Sequence, residues 1–176
     1  MKFRKVIIFS GATFRVPESI QRLDAAATHG WQLRYGSGKT EMFSDHSDDG
    51  SGASRSLKLA KAALHQRIQK LPAPSGLMTT PHSRKTSDLP VGVSGPSERS
   101  CNGRNTPYYA FQVSIPLAGA GSTTRSVYIG TANTTSPERE AQALEKAIAM
   151  RDAAVRKFKA ATTKAKRADS AKLLPR

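Results

Sequence analysis

The segment RYGSGKT, residues 34–40, ends in the glycine, lysine and threonine of a phosphate-binding loop. A Walker-type loop requires G-x-x-x-x-G-K-[ST], because its first glycine permits the turn that directs backbone N–H groups onto the β-phosphate. The position five residues before Gly38 is Leu33, and the polar segment TEMFSDHSDDG follows where the motif requires a helix. The sequence therefore predicts a tight turn between two strands, not a nucleotide site.

Other residue combinations that could support catalysis or metal binding are incomplete. Asp45, Ser47, Asp49 and Gly50 have the spacing of the first half of a calcium loop, but the twelfth position is Ser56 where a bidentate glutamate is needed. The histidines are scattered without an i, i+4 pair, and Cys101 is the single cysteine. We therefore expect no cofactor, no metal, no small-molecule substrate and no enzymatic activity.

The charge balance points to an anionic partner. The 176 residues include 28 Lys and Arg against 13 Asp and Glu, a formal net charge of +15. A field of this sign attracts nucleic acid first, an anionic membrane surface second and an acidic protein third. The apolar run from Val6 to Phe9 is shorter than a secretory signal and far shorter than a membrane span, so we interpret it as a first strand. The expected location is the cytoplasm, at the nucleoid, with no membrane partner.

Composition divides the chain into four segments. Residues 72–87 are rich in Pro, Ser and Thr and predict a linker. Residues 1–71 and 88–158 each contain short strands followed by one amphipathic helix, and residues 159–176 predict a basic tail. The predicted fold class is α+β, with two small modules, each a three-stranded antiparallel sheet packed on one C-terminal helix.

The first module is predicted from SIQRLD, GWQLRY and KTEMFSD as strands and from residues 54–71 as a helix. Ser54 is the expected N-cap, and Trp31 is expected in the core. One buried stripe follows the helical spacing and consists of Leu57, Ala60, Leu64, Ile68 and Leu71.

The second module is predicted from PVGVS, YYAFQVSIPL and RSVYIGT as strands and from a helix that begins with Ser136 as N-cap and Pro137 at its first position. Its expected helical stripe is Ala141, Leu144, Ile148, Arg151, Val155 and Phe158. Strict alternation places one set of strand residues in the core, namely Phe111, Val113, Ile115, Val127 and Ile129. The opposite face of the sheet stays open to a partner.

The order of these elements resembles the Apetala/ethylene-response-factor DNA-binding domain family, which also occurs in bacterial and phage proteins. The similarity rests on GVS at 92–94, YAFQVSI, VYIGT at 127–131 and SPEREAQALEKAI, and it covers about residues 88–158. GWQLRY, EMFSD and SLKLAKAAL resemble a degenerate copy at residues 18–71. The resemblance implies that the exposed sheet face enters the major groove of DNA.

The resemblance also implies which residues contact DNA. The implied base-reading residues are Ser94, Gln112, Ser114, Ser126 and Tyr128 in the second module and Gln32, Arg34 and Thr40 in the first, beside Ala110, Gln21 and Met42. Glutamine can bond adenine, arginine can bond guanine, and serine can bond either. The expected contacts to the DNA backbone are Arg22, Lys39, Arg99, Arg104, Arg125, Lys157, Lys159, Lys164, Lys166 and Arg167.

The functional hypothesis is a double-stranded DNA-binding protein of bacterial or phage type, acting as a transcriptional regulator or a nucleoid-associated protein. It would work as a monomer with two modules or as a homodimer. Two alternatives stay open at this point. One is an RNA- or ribosome-associated basic protein, and the other is a protein-interaction module that docks an acidic partner.

Overall fold

The computed structural model describes residues 1–26, 28–36, 40–83, 85–100, 106–119 and 121–174. Within these residues the fold is α+β, with three small antiparallel sheets and two α-helices. The chain forms two compact units. Unit 1 comprises Met1–Pro74 and Thr162–Arg176, and unit 2 comprises Ser75–Ala161.

Unit 1 contains two sheets and a helix. A hairpin pairs β1 (Phe3–Ile7) with β2 (Thr13–Pro17), and a second sheet has the order β3 (Ile20–Ala25), β4 (Thr28–Leu33), β5 (Glu41–Ser44). Helix α1 follows at Ala53–Lys70. β4 and β5 pair in antiparallel fashion, as the predicted turn between them requires, while residues 37–39 of that turn lie outside the described residues.

The core of unit 1 is built around Trp31. Its side chain is fully buried, its Nε1 donates to the Ala53 carbonyl oxygen at 2.9 Å, and the Phe14 ring meets it edge-on with 5.6 Å between centroids. The prediction that Trp31 belongs to the core is confirmed. The predicted stripe of α1 is buried at Leu57, Ala60, Leu64 and Ile68.

Helix α1 begins differently from the prediction. Its N-cap is Gly52, and Ser54 is an exposed residue inside the helix, so the predicted cap at Ser54 is wrong. A Cβ at position 52 would lie 1.8 Å from the Asp45 carbonyl oxygen, so only glycine permits this approach of the backbone. Ser56 in the first turn is buried, and its Oγ donates to Asp45 Oδ1 at 2.5 Å.

The predicted basic tail is largely helical. Helix α2 extends over Pro137–Ser170 and is followed by a 3-10 helix at Ala171–Leu173; its residues from Thr162 onward belong to unit 1. Ser170 and Leu173 are buried, and Gln69 Nε2 of α1 donates to Ser170 Oγ at 3.0 Å. Residues 159–173, predicted as part of a tail, are therefore helical, and Leu173 packs into the core of unit 1. Residues 175 and 176 lie outside the described residues.

Unit 2 contains the third sheet, in the order β6 (Val93–Arg99), β7 (Tyr108–Pro116), β8 (Ser122–Thr131), and the first part of α2. The Ser136 Oγ accepts the Arg139 backbone N–H at 3.3 Å, which confirms the predicted helix start. The buried sheet residues include the predicted Phe111, Val113, Val127 and Ile129.

The buried face of α2 is rotated relative to the prediction. Ala141 is exposed, whereas Ala143 and Ala147 pack against the sheet, with Leu144 and Ile148 only partly buried. Small alanine side chains allow a helix to approach a sheet closely, so the larger residues lie beside the line of contact. The prediction of Ala141 in the stripe is wrong.

We predict that Leu173→Ala lowers the free energy of unfolding of unit 1 by about 2 to 4 kcal/mol, because it leaves a cavity in a packed core. Fluorescence of Trp31, the single tryptophan, reports this unit during denaturation with urea. The adjacent Leu174 is 45% exposed, so Leu174→Ala serves as the matched control and is expected to cost less than about 0.5 kcal/mol. Equal losses for the two variants would show that residues 171–174 do not pack specifically.

Candidate nucleic-acid interface

The open face of the β6–β8 sheet carries a continuous set of polar side chains. Ser94 pairs with Gln112, and Gln112 pairs with Ser126, so these three residues form one row across the sheet. Directly opposed residues of antiparallel strands point to the same side, and Phe111 and Val113 on β7 point to the other side, into the core. The row therefore lies on the side away from the core.

Gln112 is the central residue of this face. Its Oε1 accepts a hydrogen bond from Ser126 Oγ at 3.0 Å, while its Nε2 has no hydrogen-bond partner among the described residues. Ser114 also lies on this side of β7, opposite Thr124. The Nε2 of Gln112 is covered from solvent, so its unused donor capacity is not exposed on the face in this side-chain conformation.

Two tyrosines extend the open face beyond the polar row. Tyr128 is 57% exposed, and its ring centroid lies 5.8 Å from that of Tyr108, with 40° between the ring planes. Tyr108 is not among the predicted site residues. It lies four positions before Gln112 on β7, so alternation places both side chains on the same side of the sheet. Ala110, expected on the exposed face, is fully buried.

Arg99 is the predicted cation that shares the open face. It pairs with Tyr108 across the β6–β7 ladder and is exposed. Arg125 is exposed too, but it pairs with Val113 and so points to the side that α2 covers. Arg104 lies outside the described residues, and Lys157 and Lys159 are exposed on α2.

Sequence reasoning missed two cations next to the open face. Arg139 and Lys146 of α2 line a groove of about 280 Å³ together with Tyr128 and Ile129 of the edge strand β8. Their closeness to the strand depends on the rotation of α2 about its axis, which the alanine-rich helix sequence does not define.

Unit 1 separates its predicted site residues. Gln32 pairs with Gln21 and Met42, and this row lies on the side of the β3–β5 sheet away from Trp31. Arg34 Nε donates to Gln32 Oε1 at 2.6 Å, and Thr40 is exposed just before β5. Lys39 lies outside the described residues. The last turns of α2 carry the remaining predicted cations, of which Lys164 and Arg167 are exposed and Lys166 is half-buried.

Arg22, a predicted DNA contact, does not lie on the exposed side of β3 that carries Gln21. It pairs with Trp31, and alternation therefore places it on the opposite side of β3 from Gln21. Its guanidinium carbon lies 4.9 Å from the Trp31 ring centroid, and its side chain is only 7% exposed. The tryptophan ring and the two carboxylates therefore cover most of this side chain.

Two carboxylates neutralise Arg22. Its Nη2 lies 2.6 Å from Asp45 Oδ2 and 2.7 Å from Asp24 Oδ1, while Nε donates to Asp24 Oδ1 at 2.9 Å. The contacts of Nη2 are close ion pairs without the directed geometry of a hydrogen bond. Burial acts to raise the pKa of Asp24, but hydrogen bonds from Arg22 and His29 outweigh it and lower that pKa. The stabilisation from Asp24 is therefore present above its ordinary pKa and is lost as the pH falls.

Comparisons with protein-family models, curated proteins and solved structures gave no match to this chain. In the part of the chain that the structure describes, no helix combines the length and the apolar character needed to cross a bilayer. The functional argument therefore depends on the geometry of the sheet faces and on the distribution of charge.

We predict that Arg22→Leu lowers the free energy of unfolding of unit 1 by about 3 kcal/mol, because it leaves the fully buried Asp45 carboxylate without its cation. Denaturation with urea, followed by Trp31 fluorescence, measures the change. Arg55→Leu is the control, since Arg55 is an exposed arginine of α1. A variant with unchanged stability and weakened DNA binding would instead identify Arg22 as a phosphate contact.

Proposed function

We propose that this chain binds double-stranded DNA through the open face of the β6–β8 sheet and acts as a transcriptional regulator or nucleoid-associated protein. The observation that carries the proposal is the row of Ser94, Gln112 and Ser126 across three adjacent strands, together with Arg99 on the same side. None of the described residues on this face is acidic. The face thus offers hydrogen-bonding groups and positive charge to an anionic ligand.

The side chains of this face fit the chemistry of a major groove. A glutamine amide can bond both N6 and N7 of adenine, and a serine hydroxyl can donate or accept. The unpaired Nε2 of Gln112 is covered from solvent, so it would supply the donor for such a contact once the side chain turns outward. Arg99 and the pair Arg139 and Lys146 would contact phosphates on either side of the reading residues, which fixes the register of the protein without reading sequence.

The resemblance to the Apetala/ethylene-response-factor family supports the same arrangement. In this proposal each module is a three-stranded sheet covered by one helix, with its uncovered face toward DNA. For the first module the uncovered row is Gln21, Gln32 and Met42, with Arg34 at the end of β4. That row includes an apolar side chain, whereas the row of the second module is entirely polar, so the second module is the main reader.

A second candidate function is binding of single-stranded nucleic acid, including RNA. The pair Tyr108 and Tyr128 favours it, because exposed aromatic rings on a sheet face are platforms on which unpaired bases stack. The duplex proposal is preferred, because the rest of the face consists of small polar residues and the two rings lie at one end of it.

We predict that Gln112→Ala weakens binding to the best duplex site by about 5- to 150-fold, which corresponds to about 1 to 3 kcal/mol for one bidentate base contact. Binding to scrambled duplex should change little. The measurement is a titration of each duplex at one fixed salt concentration, with Gln66→Ala at an exposed position of α1 as the control. Arg99→Ala should weaken binding to both duplexes equally. If Gln112→Ala leaves both affinities unchanged, the sheet does not read bases.

We predict that duplex affinity falls about a thousandfold or more between about 50 and 200 mM salt, because contacts to about 6 to 10 phosphates release counterions. Titrations over a series of salt concentrations give the slope. A flat dependence would show that phosphate contacts do not drive binding and would favour the protein-interaction alternative. Tyr128→Ala separates the two nucleic-acid candidates, since it should weaken single-strand binding selectively only if bases stack on this face.

A further inference from the structure

The outer face of the β1–β2 hairpin in unit 1 carries a cationic pair that forms no ion pair with an acidic side chain of the described residues. Lys5 pairs directly with Arg15 across the two strands, and both are exposed. Like charges in directly opposed positions destabilise a strand pair. The guanidinium carbon of Arg15 lies 4.8 Å from the Phe3 ring centroid, so the aromatic ring holds this charge in place.

A third cation from α1 joins this pair. Lys61 is half-buried, and burial together with the charge of Arg15 lowers its pKa. None of the ion pairs of the described residues involves Lys5, Arg15 or Lys61. The three cations lie on β1, β2 and α1, and a bound anion would relieve the repulsion between the directly opposed Lys5 and Arg15.

Beside these cations the hairpin exposes an isoleucine. Ile7 lies two residues after Lys5 on the same side of β1, opposite Thr13, and is 65% exposed. Its neighbours hold the strand in place, because Val6 packs against the core and Ile8 is 3% exposed. The turn is closed by the Ile8 N–H, which donates to the Ala12 carbonyl oxygen at 3.0 Å. Ile7 is thus an apolar side chain presented to solvent on a fixed backbone.

Cations beside an exposed apolar residue fit DNA better than a membrane surface. Phe9 is also exposed, but its ring lies 4.3 Å from the His29 ring centroid, which leaves Ile7 as the free apolar side chain of this face. Burial of one isoleucine contributes less free energy to membrane binding than burial of one acyl chain does. A single acyl chain by itself gives only marginal membrane binding. One apolar side chain is enough to separate a base step in the minor groove and kink the duplex.

We propose that the β1–β2 hairpin is a second duplex DNA contact, in which Lys5 and Arg15 bind phosphates and Ile7 inserts between base pairs in the minor groove and bends the DNA. This inference rests on the proposed function only in that the ligand is duplex DNA. It uses residues that the reading face of unit 2 does not contain.

The test of insertion is the bending of a duplex of about 30 base pairs labelled at both ends for energy transfer, a length that stays nearly straight when free. The unmodified chain should increase the energy transfer, and Ile7→Ser should return it toward the value of free DNA. Leu59→Ser is the matched control, because Leu59 is a 54% exposed residue of α1 in the same unit. Unchanged Trp31 fluorescence and urea denaturation establish that both variants fold. Equal bending by the two variants would overturn insertion.

The test of the cations is the salt dependence of duplex affinity. Lys5→Gln combined with Arg15→Gln should reduce the slope of log K against log salt by about 1.8, since each phosphate contact contributes about 0.9. Arg55→Gln combined with Lys70→Gln removes two exposed cations of α1 and should leave the slope unchanged. If both double variants reduced the salt slope equally, the net charge of the protein would attract DNA without a specific contact at the hairpin. That result would overturn the hairpin site.

The outcomes separate this inference from the proposed function. If Gln112→Ala has no effect while the hairpin variants lose bending and salt slope, the sheet proposal fails and the hairpin contact stands. If Gln112→Ala loses discrimination while the hairpin variants behave like their controls, the hairpin contact fails and the sheet proposal stands. Binding to phosphatidylserine vesicles that depends on Ile7, with no binding to duplex, would overturn the hairpin proposal in favour of a membrane surface.

Discussion

The alternation of side chains along β7 determines both the core and the open face of unit 2. Phe111 and Val113 point into the core, whereas Gln112 and Ser114 point outward. A shift of one residue would bury the polar set and expose the apolar set. The free energy gained by burying the apolar side chains would then be lost. Since β7 is the central strand, its pairing also fixes Ser94 on β6 and Ser126 on β8. The free energy that folds this unit therefore also positions its candidate reading residues.

Helix α2 contributes to the same surface from the covered side. Ala143 and Ala147 lie against the sheet, and this close approach brings Arg139 and Lys146 beside the edge strand β8. Arg151 reinforces the contact, because its Nη1 donates to the Ser114 carbonyl oxygen. Gly92, at φ +84, allows this approach, since a Cβ there would lie 2.5 Å from Arg151 Nε. The helix thus closes the core and supplies cations next to the proposed reading face.

The sequence predicts what depends on local periodicity and misses what depends on distant partners. Strands β7 and β8 and the start of α2 follow from alternation and capping, as does the polar row around Gln112. Leu173 reads as part of a polar tail, because the core that it enters comes from residues far earlier in the chain. The rotation of α2 was misjudged because alanines on several sides of the helix leave its apolar face poorly defined, and this also concealed Lys146.

Arg22 shows a different limit. Its charge suggests a DNA contact. Alternation along β3, however, places Arg22 on the same side as Trp31 and places Gln21 on the opposite side. Its two carboxylate partners could not be predicted, since Asp45 lies beyond β5 in a loop that resembled half of a calcium site. Asp45 meets Arg22 and Ser56 instead.

The use of acidic residues in internal pairs explains why the remaining field is positive. Unit 1 contains 17 of the 28 Lys and Arg and 7 of the 13 Asp and Glu, an excess of 10 cations. Asp24 and Asp45 neutralise Arg22, and Glu41 pairs with Arg67. Lys5 and Arg15 stay exposed on the surface and form no ion pair with the described acidic residues. Self-repulsion of this kind costs stability in the free protein and is offset when a polyanion binds. Directly opposed residues of antiparallel strands have Cβ atoms about 5 Å apart, which is less than the Debye length of about 8 Å at physiological salt, so Lys5 and Arg15 can act on one approaching phosphate together.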